Sequence, residues 1–161
     1  MSVSIQRADL SAPDHREAIV ALTQMYAMDA MGMGNPLPEA TLARLIPALE
    51  QHPTTLIWLA FLEGRPVGIA TCFLGFSTFY ARSLINVHDV AVIPELRGRG
   101  IGRQLLGAVV EHARTHGCCK VTLEVQDNNT RARHVYESLG FSQAFYTEAS
   151  GGSLFYTKPL G

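Results

Sequence analysis

The chain has 161 residues, of which 47% are hydrophobic and 17% charged, with 13 Lys and Arg against 14 Asp and Glu. That length and balance fit one globular domain with a real core and exclude a disordered chain. A net charge of −1 gives no bulk attraction for nucleic acid or an anionic membrane, so any anion the protein binds must be gripped locally.

The N-terminal stretch MSVSIQRADL has no apolar leader, and no apolar run reaches the length of a bilayer span. Cys72, Cys118 and Cys119 form neither a CxxC pair nor an even framework. That usage points to a reducing, cytoplasmic setting.

In chain order, Val3 to Arg7 reads as a short strand. Ser11-Ala12-Pro13-Asp14 reads as a capping box, with Ser11 as N-cap of a helix that carries Ala18, Ile19, Leu22, Met25 and Tyr26 at helical spacing and runs to about Met28. Residues 30–36 break it. A second helix starts near Pro38, has Leu42, Leu45, Ile46 and Leu49 as its stripe, and closes at His52-Pro53. The period then changes. Thr54 to Leu62 and Val67 to Phe79 read as a hairpin around the turn Glu63-Gly64-Arg65-Pro66. Leu84 to Ile93 is the next strand, and a helix follows with Ile101, Leu105, Leu106, Val109 and Ala113 on one face and Gly117 as its stop. Lys120 to Val125 is a strand, Asp127-Asn128-Asn129 a turn, and Thr130 to Leu139 a helix ended by Gly140. Phe141 to Thr147 and Ser153 to Lys158 read as a closing pair of strands. The expected architecture is α/β, with a mixed central sheet and helices on both faces.

The stretch VHDVAVIPELRGRGIG, Val87 to Gly102, joins an apolar strand to a helix through three glycines. Glycines at such a junction let backbone N–H groups converge, and the helix N-terminus adds open donors and the positive end of its dipole. The natural guest is a phosphate or pyrophosphate. A mononucleotide loop would end in Gly-Lys-Ser/Thr, where this chain has Gly100-Ile101-Gly102-Arg103. A dinucleotide turn needs GxGxxG directly after its strand, where this chain has Gly98-x-Gly100-x-Gly102 behind the connector Pro94 to Arg97. Neither fits.

Arg97-Gly98-Arg99-Gly100-Ile101-Gly102 resembles the Arg/Gln-x-x-Gly-x-Gly/Ala signature of the GNAT superfamily of acyl-CoA N-acyltransferases. Val90 to Pro94 is similar to the family's strand before that signature, and Gly64-Arg-Pro-Val-Gly68 to its hairpin. Asn129-x-x-Ala132-x-x-x-Tyr136-Glu137-x-x-Gly140-Phe141 is similar to its downstream helix. The stretch from Phe76 to Asp89 bears a faint similarity to the diamine and thialysine acetyltransferases. The resemblance implies a single N-acetyltransferase domain over residues 1–161 with the GNAT fold, acetyl-CoA as co-substrate, and no metal. It implies direct transfer to a primary amine, with a small molecule favoured over a protein or peptide acceptor; an inactive acyl-CoA sensor is the non-enzyme alternative.

By the same resemblance, the backbone N–H groups of Arg97, Gly98, Arg99, Gly100, Ile101 and Gly102 hold the coenzyme A pyrophosphate. Val90, Ala91 and Val92 pair with the pantetheine arm, and Asn129 and Ala132 belong to the cofactor side. The side chains of Arg97 and Arg99 could add charge to the grip. Tyr136 stands where the family has a tyrosine acid for the departing thiolate, and phenol and thiol pKa values of about 10 and about 8.5 make that donation feasible. The base stays open among His88, Asp89, Glu124 and a water chain. His88 and Asp89 are expected on opposite faces of their strand. The segment Tyr26 to Pro38 is expected to shape the acceptor site, with Met25, Met28, Met31 and Met33 as an adaptable lining or as filler, and Asp29 as a holder of a cationic substrate. His112 and His116 have metal-compatible spacing but read as a solvated helix face, and Cys118 and Cys119 as packing residues. A small-molecule amine is the expected partner, with no nucleic acid and no membrane. Pairing through exposed edge strands, the C-terminal pair among them, would allow a homodimer.

Overall fold

A computed structural model describes residues 2–145 and 147–161. The elements are β1 (Val3–Arg7), α1 (Pro13–Met28), α2 (Glu39–Gln51), β2 (Thr55–Leu62), β3 (Arg65–Ser77), β4 (Arg82–Val92), α3 (Ile101–Thr115), β5 (Val121–Leu123) and α4 (Thr130–Ser138), with short 3-10 turns at Pro94–Leu96 and Glu148–Ser150. The sheet order is β1-β2-β3-β4-β5. All neighbours are antiparallel except β4 and β5, which α3 joins as a parallel crossover.

Side-chain alternation assigns each helix to a face. Gly68 and Ala70 of β3 share one parity, and a Cβ at Gly68 would meet Leu105 and Ile101 of α3. Trp58, opposite Ala70 in the β2–β3 register, meets the His112 ring of α3. Phe73 has the other parity and meets His52 at the end of α2. The core therefore lies in two layers on either side of the sheet, with Ile19 and Leu22 of α1 in one and Leu105, Leu106 and Val109 of α3 in the other, all nearly inaccessible.

Local chemistry explains most boundaries. Proline at the first position of α1 supplies its fixed φ. The N-cap is Ala12, not Ser11, and no side chain caps it; the Ser11 N–H and hydroxyl both donate to Asp9 Oδ1, at 2.9 and 2.6 Å. Asp9 captures the serine in an Asx turn and leaves no capping box. The β2–β3 hairpin turns on Glu63 and Gly64, with φ of 51° and 78°, the two positive values of a type I′ turn. Pro66, placed in the turn by the sequence pattern, lies inside β3 opposite Phe61, at a register irregularity that excuses its missing N–H.

The expected C-terminal strand pair does not form. Among the described residues of 141–161 there is no strand, only the Glu148–Ser150 turn, closed by reciprocal Thr147 and Ser150 bonds, and one bridging bond from Ser153 N–H to Ala144 O at 3.0 Å. Tyr146, within the first of those expected strands, lies outside the described residues. β5 covers three residues rather than the six expected, so it offers almost no ladder to extend, and Phe145, Leu154, Phe155, Tyr156 and Leu160 stay exposed.

Leu105 is fully buried where α3 meets the sheet. Leu105→Ala is expected to lower unfolding free energy by about 2–5 kcal/mol, read as a lower urea midpoint at unchanged denaturant slope.

Candidate active site

β4 carries a bulge. Its register with β3 runs Cys72 opposite Val87 and then Thr71 opposite Asp89, leaving His88 without a partner. Pairing of β4 with β5 ends at Val87 opposite Leu123. Beyond the bulge, Val90, Ala91 and Val92 therefore have no strand on their β5 side among the described residues. Bulges bend the strand that carries them and end pairing in this way. The result is a splayed sheet whose free backbone groups can serve a ligand made of amides.

The chain leaves β4 through the Pro94–Leu96 turn and reaches the glycines. Gly98 and Gly100 adopt φ of 78° and 79°, a conformation costly for any residue with a Cβ. Gly100 is the N-cap of α3 and no side chain caps the helix. The first intrahelical bond is Gln104 N–H to Gly100 O, which leaves the N–H groups of the first turn, at Ile101, Gly102 and Arg103, as open donors. The Ile101 side chain is buried and anchors the turn; Arg99 is exposed at its tip.

Arg97 does something the signature does not show. Its side chain turns away from the glycines, with Nε donating to Val92 O at 3.0 Å and Nη2 ion-paired to Asp29 Oδ2 at the end of α1. Its charge is thus neutralised inside the protein. The same pair removes Asp29 as a free holder for a cationic substrate. The backbone bond from Met31 and then the Arg97 bond hold the Asp29 carboxyl below the usual range.

The bulge also corrects the expected placing of His88 and Asp89. Instead of facing opposite ways, the two approach to 4.0 Å on the α1–α2 side of the sheet, where the His88 ring meets Phe73 edge-on at 5.8 Å. An extra residue resets the alternation of side chains. His88 is mostly exposed, whereas Asp89 keeps 30% of its side chain accessible. Burial pushes the Asp89 carboxyl up, partly offset by the nearby His88.

Tyr136 of α4 packs against the edge of the core. Burial, then repulsion from Tyr26, pushes its phenol up to about 12. Tyr26 of α1 is raised in turn by burial, by Asp89 and by Asp29. Tyr26 on α1 thus interacts with Asp89 on β4 and with Tyr136 on α4. The sequence pattern puts Tyr26 both in the α1 stripe and at the start of the expected acceptor segment, but gives it no part in proton chemistry. Asn129 and Ala132 are brought together as a helix cap, Asn129 Oδ1 accepting from Ala132 N–H at 3.2 Å.

Other candidates lie apart. Glu124 is exposed just beyond β5. His112 and His116 stack at 3.9 Å, with His112 against Trp58. Met28, Met31 and Met33 are exposed at the α1–α2 connection, while Met25 packs inward. A shallow apolar hollow lined by Leu45, Ala48, Leu49, His52 and Phe73 lies on the α2 side, away from the glycine turn, and offers no cluster of reactive groups.

A splayed parallel pair, a glycine turn opening a helix, and a partly buried tyrosine on α4 agree with the scaffold that the resemblance implies. Residues 20–141 match the model of the Acetyltransferase (GNAT) family, and the chain belongs to that family. Among curated relatives, the thialysine N-epsilon-acetyltransferase of Mus musculus is 32% identical over 78% of this chain and 67% of its own length. The Bos taurus enzyme of the same name is 38% identical over 55% of this chain and 51% of its own length, so the match spans about half of that relative. Among solved structures, an aminoglycoside acetyltransferase from an uncultured soil metagenomic sample, in complex with trehalose, superposes with a TM-score of 0.77 at 18% identity, covering 98% of this chain and 97% of that one. AAC(6')-Iy in complex with a bisubstrate analogue, CoA-S-monomethyl-acetylneamine, superposes with a TM-score of 0.75 at 18% identity, covering 99% and 100%. These two share the fold. No helix among the described residues is long and apolar enough to cross a membrane.

The raised pKa of Asp89 has a sign that can be checked. A carboxyl whose folded pKa lies above its unfolded value subtracts stability once pH exceeds the unfolded value, and the whole penalty is present above the folded one. Asp89→Asn is therefore expected to raise the melting temperature near pH 7 and to leave it unchanged near pH 3, where both side chains are neutral.

Proposed function

We propose that residues 1–161 act as one N-acetyltransferase domain that moves the acetyl group of acetyl-CoA directly to a primary amine of a small molecule. The observation that carries this reading is the open side of β4 running into a turn with positive φ at Gly98 and Gly100 and an uncapped helix start. The similarity to thialysine N-epsilon-acetyltransferases supports a small, lysine-like acceptor.

In this reading the open N–H groups from Gly98 to Gly102 take the pyrophosphate, and the backbone groups of Val90 and the Val92 N–H, on the open side of β4, serve the pantetheine amides. The fit rests on positive φ at Gly98 and Gly100 and on an uncapped helix start. Val92 O is already bonded to Arg97 and Ala91 faces Ile69 of β3, which leaves Val90 the larger share. Asn129 and Ala132, tied as a cap, set the start of the helix that carries Tyr136.

A cationic amine must lose a proton before its lone pair can attack the thioester carbon. Asp89, raised and half-buried, is the acceptor of that proton, with His88 passing it outward through its exposed ring. Collapse of the tetrahedral intermediate breaks the carbon–sulfur bond, and Tyr136 donates to the departing sulfur. A phenol at about 12 against a thiol at about 8.5 in water would make full transfer uphill by about 5 kcal/mol. Burial raises a thiol in the same way: Cys72 in this sheet is pushed up to about 12. Burial of the departing sulfur would narrow that gap.

The reading places the protein in the cytoplasm, where Cys72, Cys118 and Cys119 stay unpaired, with no metal and no nucleic-acid or membrane partner. The exposed apolar residues of the C-terminal arm support a homodimer.

Incubation with acetyl-CoA and a panel of primary amines that includes thialysine is expected to release free thiol with at least one of them. Coenzyme A binding without thiol release on any amine would instead establish a sensor. On the best acceptor, Tyr136→Phe is expected to lower kcat by about 10²–10⁴-fold with little change in coenzyme A affinity; a wild-type rate at saturating acetyl-CoA would remove Tyr136 as the acid.

A further inference from the structure

Two residues at the end of α1 organise the α1–α2 connection: Ala27, whose carbonyl accepts from Met33 N–H at 3.1 Å and Asn35 N–H at 3.3 Å, and Asp29. The Asp29 carbonyl accepts from Gly32 N–H at 2.9 Å and Gly34 N–H at 3.1 Å, and its Oδ1 accepts from Met31 N–H at 2.9 Å. Gly32 is pressed so closely onto the Tyr26 carbonyl that a Cβ there would collide with it. The far parts of the loop are anchored separately, Gln126 Nε2 donating to Met31 O at 3.3 Å and Leu37 N–H to Gln24 Oε1 at 2.8 Å. The remaining oxygen of Asp29 takes the guanidinium of Arg97.

Arg97 is the residue immediately before Gly98. Its backbone caps the Pro94–Leu96 turn, its Nε holds Val92 O at the end of β4, and its Nη2 holds Asp29. The side chains of Arg97 and Asp29 keep only 29% and 16% of their accessible surface. A pair removed that far from water loosens both of its ends when one member is deleted, because the survivor is left partly buried and uncompensated. The charge that a pyrophosphate would need from Arg97 is already neutralised, and two of its three nitrogens are already bonded.

We propose that Arg97 is a positioning residue: a strut that fixes the 29–37 loop to the 97–102 turn, so that order imposed on the turn by coenzyme A is imposed on the acceptor side as well. The second half of that statement rests on the proposed acetyl-CoA site; the strut itself does not. Because Asp29 alone gathers Met31, Gly32 and Gly34, a constraint on its carboxylate reaches three backbone amides of the loop in one step. Coupling of this kind is reciprocal: a ligand held by the loop favours the ordered turn by the same factor.

Hydrogen exchange of the loop amides, measured with and without coenzyme A, tests it in the wild type, Asp29→Asn, Arg97→Gln and the double variant. Asp29→Asn keeps an oxygen for Met31 and removes only the charge facing Arg97. The amides of Met31, Gly32 and Gly34 are expected to exchange about tenfold faster in each single variant, and no faster in the double. Coenzyme A is expected to slow them in the wild type but not in Asp29→Asn, whose coenzyme A affinity by calorimetry stays within about threefold. Arg97→Lys, which keeps the charge but loses the fork, is expected to fall between. Wild-type exchange in both single variants would overturn the strut. So would coenzyme A affinity rising more than about tenfold in Asp29→Asn, since a freed guanidinium would then be gripping phosphate. Failure of the wild type to bind coenzyme A would instead overturn the proposed function, and loop exchange in the ligand-free variants would still decide the strut.

Discussion

One unpaired residue shapes this protein. His88 is an insertion in β4 relative to β3, and a strand with an extra residue bends and twists away from its neighbours. β5 follows β4 only as far as Val87. The bend frees the edge from Val90 to Val92, delivers the chain to the glycine turn, and sets His88 on the same side as Asp89 and α1. Without His88 the strand would alternate regularly and Asp89 would still stand opposite Thr71 on the same face; what the extra residue adds is a second polar side chain on that face.

Around the bulge the protein sets two electrostatic environments side by side. Asp29 is held low by a backbone bond and then by a guanidinium, and stays charged. Asp89, Tyr26 and Tyr136 are all raised, with burial as the largest cause in each. Only a few residues separate the two regimes. The first makes a rigid joint, and the second stores protons in groups that burial disfavours as ions. Such an arrangement lowers stability locally, and it is common where side chains serve chemistry more than packing.

Much of this was legible in the chain. The apolar stripes of α1, α2 and α3 coincide with their buried faces, as Leu105, Leu106 and Val109 do in α3, because period 3.6 is set by the same burial that stabilises the helix. The glycine turn was legible because positive φ selects glycine. The bulge was not: it depends on the register between two strands, and His88 and Asp89 read locally as ordinary alternation. The inward turn of Arg97 was hidden for a similar reason, since its partner lies 68 residues earlier. The C-terminal segment shows the converse failure. Phe141 to Thr147 and Ser153 to Lys158 have the composition of strands, but a strand needs a neighbour, and the three-residue β5 offers too little edge.

The order of strands in space is the order in the chain, and this bears on how the molecule assembles. β2, β3 and β4 form a meander whose turns close over a few residues, so their contacts carry little loop-closure entropy and form early. β1 and β5 return to the sheet only after helical excursions, through α1 and α2 on one side and through α3 on the other. The parallel pair is the slower of the two kinds of joint, because its crossover helix must first be packed. The divergence of β4 from β5, on which the candidate site rests, is then among the last features of the fold to form.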